Sequence, residues 1–487
     1  MTERSERGGS HRDDRGGRGY RGGDRGYRDG ERGRSRRVYD DEPRDGLLAD
    51  LVGHLHALDG RSYAAYKAIV GRYRAPAGWF LHIDRVQADP YAPPTRIHVD
   101  VPTDLHGLEL LDEADLLADA DRRLAVGDFL TRELHAGFRG TALSIASPGQ
   151  EILQRSSIIV RPDEKKEGPG WVLEVRARLA LPAQGRSIQG HEASRIVGRD
   201  LVRELEEAMD LTGERGDRLV RHIATLEDHR DLTATVARNG WVSFLADGSV
   251  LPRRSGVSDE PLDGGVPLDA PESMAATVEL PHAGTVRGTV VEAGVNVIVG
   301  GGYHGKSTLL SAIERGVYPH VPGDGRELVA TVPDAVKVRA ADGRAVTGVD
   351  LTPFISHLPA GRDTASFTTR NASGSTSQAA SIIEAVEAGS TALLLDEDTS
   401  ATNLLIRDSR MRELVAAERE PITPLVDRIT ALFRRRGVST VMVMGGSGDY
   451  LDVADRVLLM DAYHLRDVTE QARRVVADQP RPLTGLE

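Results

Sequence analysis

Residues 297–310 read VIVGGGYHGKSTLL, and the run from Gly300 to Ser307 fits G-x-x-x-x-G-K-[ST]. Glycines let the backbone curl until successive N–H groups point at one anion. A helix that begins inside the motif adds the positive end of its dipole. An apolar, β-rich run precedes the motif and a helical stretch, KSTLLSAIERG, follows it. A coincidental match in a glycine-rich chain would lack that strand–loop–helix context. Gly300, Gly301, Gly302, His304, Gly305, Lys306, Ser307 and Thr308 are therefore the expected nucleotide-binding residues. Lys306 is expected to reach the β- and γ-phosphates, and Ser307 to ligate Mg²⁺.

Composition sharpens this reading. The chain has 487 residues and a formal net charge of −12, room for two or three domains. Residues 1–37 hold 12 arginines against 7 acidic residues, which leaves a charge of −17 on the rest. So acidic a body repels phosphates in general, and any nucleic-acid contact must come from the tail or a local patch. Of the basic residues 57 are Arg and 5 are Lys, so a Lys inside a phosphate motif stands out. There is no Cys, which excludes disulfides, thiolate catalysis and cysteine-ligated metals. The N-terminus has no apolar signal region and no run is long enough to span a membrane, so the expectation is a cytoplasmic protein without a membrane partner.

Along the chain, residues 1–40 are low-complexity Arg, Gly and Asp with Tyr20 and Tyr27, and are expected to be a disordered tail. Residues 41–235 read as an α+β domain. GLLADLVGHLHAL has helical spacing, RSYAAYKAIVGRY reads as a second helix, and WFLHIDRVQ and RIHVDV alternate as strands. SSIIVRP and WVLEVRARLAL read as a strand pair, and HEASRIVGRDLVRELEEAMDL as an amphipathic helix. Residues 236–274 are turn-rich and read as a connector. Residues 275–475 take an α/β rhythm with short apolar runs, TALLLDED, GVSTVMVMGG and DRVLLMD, typical of buried parallel strands. Residues 476–487 read as a C-terminal tail.

TALLLDED carries chemistry as well. An apolar strand ending in Asp places Asp396 to hold Mg²⁺ through water, with Glu397 one residue on to polarise an attacking water. The bland alternative is a buried strand ending in an acidic turn. Upstream, Asn371-Ala372-Ser373-Gly374-Ser375-Thr376-Ser377-Gln378 reads, taken alone, as a flexible loop with a helix N-cap. Gly374 lies 22 residues before Asp396, a helix plus a turn.

In this order the residues resemble an ABC ATPase. Residues 396–403, DEDTSATN, are similar to the D-E-P-T-S-A-L-D run of that class, and NASGSTSQ to its L-S-G-G-Q signature. More closely, the chain resembles the predicted ABC-class ATPases, soluble proteins with an N-terminal domain fused to an ABC-type P-loop domain. VGGGYHGKSTLL, GVYPHVPGDGRE, EPITPLVDR and MGGSGDYLDVAD carry the resemblance, with RVQADPYAPPTR, LPAQGRSIQG and ADGSVLPRRSGVSD in the N-terminal part. It covers roughly residues 45–475. It implies an α/β fold with an ABC-type nucleotide domain, ATP and Mg²⁺ as ligands, and Glu397 and Lys306 as catalytic residues. It also implies Ser307 and Asp396 on the metal, and Ser373 and Gly374 completing the site of a partner copy.

Two departures from transporter-type ABC domains stand out. No Gln occurs between Ser307 and Ser377, and the position of a switch histidine reads Gly445-Gly446-Ser447-Gly448-Asp449. Slow turnover is therefore expected. The expected function is MgATP hydrolysis coupled to movement of the N-terminal domain, with single-stranded RNA on the tail as a candidate partner and a homodimer as the assembly. The alternative is a nucleotide-gated RNA-binding module with little or no hydrolysis. Four residues stay open between structural and ligand-facing roles: Arg253 and Arg254 in LPRRSG, and Gln87 and Arg96 around ADPYAPPTR.

Overall fold

Alternation of apolar residues builds the two largest sheets among the described residues, of seven and six strands, which face different cores. In the computed structural model, which describes residues 44–164, 170–358, 363–406 and 420–479, both belong to one unit, Pro43–Glu487. The Arg/Gly-rich stretch lies outside the described residues.

The N-terminal sheet runs in the order Arg44–Leu47, Gly71–Arg74, Phe80–Arg85, Thr95–Pro102, Trp171–Leu179, Leu143–Ser144, with Ile158–Pro162 also pairing with Trp171–Leu179. Leu81, Ile83, Ile97, Val99, Leu173, Val175 and Leu179 are buried on one face, in a core that includes Val126, Phe129 and Leu130 of the helix Ala120–Gly137. The period of two sends His82, Asp84, Arg96, His98, Asp100, Arg176 and Arg178 to the other face. RSYAAYKAIVGRY, expected as a helix, divides into a 3₁₀ turn at Tyr63–Ile69 and the strand Gly71–Arg74. Tyr63, Tyr66 and Ile69 are all buried, at a spacing the tighter 3₁₀ repeat brings onto one side.

The helix Glu214–Arg238 joins the two halves. Its first part buries Leu219, Ile223 and Leu226 in the N-terminal core, and its last part buries Leu232 and Val236 in the next. The connector expected at 236–274 contains the strand Trp241–Ala246, a correction. That segment lies between Gly284–Glu292 and Val329–Thr331 in a four-stranded antiparallel sheet, a pairing made entirely with later segments of the chain. The helix Thr469–Asp478 likewise runs into the segment expected as a C-terminal tail.

The nucleotide-domain sheet is ordered Val336–Val338, Ala392–Asp396, Ser439–Val443, Val295–Gly300, Arg456–Asp461, His464–Asp467, parallel except at the last pair. Strand alternation divides its side chains between two cores. Ile298, Leu394, Val441 and Leu458 pack with the four-stranded sheet, while Val297, Leu393, Leu395 and Met442 pack with Phe354, Ile382 and Leu404 on the opposite face. No helix among the described residues is long and apolar enough to cross a membrane.

Candidate nucleotide site

Val295–Gly300 ends in the phosphate loop, and Lys306–Arg315 is the helix that leaves it. Gly300 has φ +147°, and a Cβ there would sit 2.3 Å from the Met460 carbonyl oxygen, so the loop can turn over the neighbouring strand only with glycine. Lys306 Nζ donates to the carbonyls of Gly300 and Gly301, both at 2.9 Å. His304 lays its ring against the loop itself, 3.2 Å from where a Cβ on Gly301 would sit. Its Nδ1 accepts from the Ala462 amide at 3.0 Å and its carbonyl accepts from Tyr463 N at 3.1 Å, so it ties the loop to the turn at 461–464. Tyr303 stands fully exposed at φ +64°.

Ser307 and Thr308 open onto a cavity of about 530 Å³ whose walls include Glu151, Arg253, Arg315, Arg326 and Tyr463. Arg253 holds Asp324 with two bonds, to Oδ1 at 2.9 Å and Oδ2 at 3.0 Å, and Arg254 pairs with Glu260. Both arginines thus have acidic partners, and Arg253 also lines the cavity. Burial lowers the Arg326 pKa to about 10, and the nearby Arg253 acts in the same direction. Gln87 is buried elsewhere, in the N-terminal domain, and Arg96 lines a separate cavity there.

Asp396 ends its strand beside Val443, which also pairs with Ile298 on the strand before the phosphate loop. The intervening strand continues into Gly445 and Gly446, whose amides both donate to Oε2 of Glu397, the second at 2.9 Å. A Cβ on Gly445 would lie 3.6 Å from Glu397 Oε2 and 4.0 Å from Lys306 Cε. The acidic and basic candidates therefore flank one point. A Cβ on Gly446 would come within 2.9 Å of Glu397 Oε1, closer than side chains tolerate. Sequence reasoning noticed this glycine pair only for the histidine it lacks. The signal available was a Gly-Gly step directly after a buried strand.

Ser373 caps the helix Gly374–Glu387, its side chain accepting from Thr376 N, and is itself exposed. The helix is locked to the acidic turn by Gln378, which is fully buried. Gln378 Nε2 donates to Ser400 Oγ at 2.9 Å, and its Oε1 accepts from Ala401 N at 2.8 Å. Ser375 Oγ donates to Asn403 Oδ1 at 2.6 Å. The two runs that resemble the ABC class thus form one rigid piece.

A model of the ABC_ATPase P-loop domain matches residues 215–484, and one described as the N-terminal part of the ATPase of the ABC class matches residues 48–211. The chain belongs to the ABC-class ATPase family. This ABC-class ATPase is also 27% identical over 263 residues to the uncharacterized protein MJ1628 of Methanocaldococcus jannaschii, a match covering 49% of this chain and 58% of that relative. Among solved structures it is similar to cbiO1 of Clostridium perfringens, described as part of the ABC transporter complex cbiONQ. That match has 12% identity, covers 50% of this chain and 97% of the other, and has a TM-score of 0.29. The two family models meet at residues 212–214, just where the helix Glu214–Arg238 begins.

Proposed function

We propose that this ABC-class ATPase binds MgATP on Gly300–Thr308 and hydrolyses it, with Glu397 as general base. The observation that carries the proposal is the fixed carboxylate of Glu397. Two backbone amides hold Oε2, and no described residue bonds to Oε1. Oε1 is then the oxygen that takes the proton from water as it attacks the γ-phosphorus. Lys306 exchanges its loop carbonyls for phosphate oxygens. Ser307 Oγ and the Asp396 carboxylate are a hard-oxygen pair that suits Mg²⁺, which when bound neutralises charge developing on the phosphate.

The exposed cap at Ser373 supports a composite site. Ser373, at the amide end of the fourteen-residue helix Gly374–Glu387, is exposed, and this end would meet the γ-phosphate held by a second copy. Closure of two copies on ATP would move the N-terminal domains. A contact that fits such coupling is Arg315, at the end of the phosphate-loop helix, paired with Glu151 at 2.9 Å. The Glu151 carbonyl accepts from Arg132, which bonds to the buried Asp128 at 2.7 Å. The absence of cysteine fits a cytoplasmic location.

The second reading is a nucleotide-gated RNA-binding module with little hydrolysis. The lack of a histidine at Gly445–Asp449 favours it. Phosphate release from MgATP separates the two, measured with and without single-stranded RNA, on the full chain and on a chain starting at Asp45. Hydrolysis stimulated by RNA only with the tail present makes RNA the client. Hydrolysis indifferent to both places the client on the N-terminal domain. No release at all leaves the gated module.

A further inference from the structure

Three arginines stand in a row across the outward face of the N-terminal sheet. Arg85 is opposite Arg96 on the neighbouring strand, and Arg96 is opposite Arg178 on the strand after that. All three are exposed, and among the described residues no acidic side chain bonds to any of them. Directly opposed residues on paired strands lie about 5 Å apart, and like charges at that spacing destabilise a sheet.

The rest of the face does not look like this. Arg161 bonds to both Asp100 and Glu174 at 2.8 Å, Arg176 bonds to Glu174 at 2.7 Å, and Arg72 lies 3.8 Å above the Phe80 ring. Cations on this sheet are thus matched with partners except along the row. The chain as a whole carries a net charge of −12, so acidic residues were available to neutralise it.

Arg96 and Arg178 line a cavity of about 540 Å³, together with Arg176 and the hydroxyl-bearing Ser144, Ser156 and Ser157. The lining holds three arginines against one acidic residue, Asp84, whose Oδ2 contacts His98 Nδ1 at 2.8 Å. A concave site with an excess of one charge focuses its field on a ligand of the opposite sign. The volume falls in the range of small-molecule sites, about 300–1,000 Å³. A nucleic-acid strand is instead followed by a groove that tracks its backbone. Here the basic side chains converge with three serines on one pocket.

We propose that this cavity binds a small molecule carrying a phosphoryl group, with the phosphoryl oxygens between Arg96 and Arg178. The planar fork of a guanidinium matches two phosphate oxygens, and an anion between the two arginines removes their repulsion. The serine hydroxyls both donate and accept, so they suit the uncharged remainder of the molecule. This gives Arg96 a ligand-facing role, separate from the phosphate loop.

The test uses the full chain carrying Lys306→Ala, which weakens competition from the phosphate loop, titrated calorimetrically with pyrophosphate as the probe. Saturable binding is expected. Adding Arg96→Gln or Arg178→Gln should each weaken it about 10- to 100-fold, the loss of one charged hydrogen-bond partner. Arg230→Gln should leave it unchanged, because Arg230 already pairs with Asp121. Thermal melts separate a binding role from a structural one. Without pyrophosphate, Arg178→Gln should melt at or above the temperature of its parent, since repulsion is relieved. Pyrophosphate should raise the melting temperature of the parent and leave that of Arg178→Gln unmoved. Absence of pyrophosphate binding, or equal binding after Arg96→Gln and Arg178→Gln, would overturn the site. So would an oligouridylate that binds in an Arg178-dependent way where pyrophosphate does not, since the face would then be a nucleic-acid surface.

Discussion

The amide of Gly446 donates to Oε2 of Glu397 at 2.9 Å, so the candidate base is held by the backbone of the strand that separates it from the phosphate loop. The clamp lies in the segment Gly445–Asp449, which carries no histidine. Gly446→Ala should break it, because the added Cβ would come within 2.9 Å of the other carboxylate oxygen. We expect phosphate release to fall about 10-fold or more, since a base displaced from its position loses much of its contribution, while ATP affinity stays within about 2-fold. Equal rates for the two proteins would show that the clamp is incidental.

A composite site makes two inactive variants complement each other. Lys306→Ala removes the phosphate contact, and Ser373→Phe blocks the exposed cap at a cost of about 1 kcal/mol in helix capping. Each alone should be inactive. Mixed in equal amounts, they should recover about a quarter of wild-type phosphate release, because half the dimers are mixed and each holds one intact site. No recovery after subunit exchange would exclude sharing of Ser373 between copies.

The N-terminal core contains a buried carboxylate with several cationic partners. The Asp128 side chain is fully buried and is met by Arg132 at 2.7 Å, Arg155 at 3.3 Å and His222 at 3.2 Å. Burial alone would raise its pKa, but the His222 and Arg132 interactions outweigh that and hold it below the usual carboxylate range. Asp128→Asn strands the arginines and should cost about 3–5 kcal/mol. Urea unfolding of the two proteins measures it, and a loss below about 1 kcal/mol would contradict this account of the core.

Acid should loosen the joint between the long helix and the phosphate-loop helix. His229 Nε2 donates to the Gly316 carbonyl at 3.1 Å, and burial lowers the imidazole pKa from 6.5 to about 4. The folded state therefore keeps His229 neutral where the unfolded chain already binds a proton. Its contribution is complete above pH 6.5 and is lost as pH falls toward 4, about 3 kcal/mol in all. His229→Gln, which can still donate to Gly316, should flatten the melting temperature across that window. An unchanged pH slope would remove His229 from the explanation.

How much of this was legible in the sequence depended on whether the signal was local. The phosphate loop, the acidic strand end at Asp396 and the cap at Ser373 are each written within a few consecutive residues, so pattern and chemistry coincide there. The helix Glu214–Arg238 did not stand out, because its apolar stripe serves two cores in succession and His222, Asp228 and His229 are buried among the apolar residues. Trp241–Ala246 looked like connector because its partners come 40 or more residues later. The alternation in RIHVDV and WVLEVRARLAL put Arg96 and Arg178 on an outward face, but only pairing across strands brings them together. The clamp on Glu397 was hidden for the same reason, since Gly446 lies 49 residues from it in the chain.

The most direct measurement of the central claim is phosphate release from MgATP by the wild type and by Glu397→Gln, with bound nucleotide assayed after gel filtration. The account predicts turnover in the wild type and a loss of about 10²- to 10⁴-fold in the variant, which should retain ATP in a dimer. A variant that releases phosphate as fast as the wild type would contradict it.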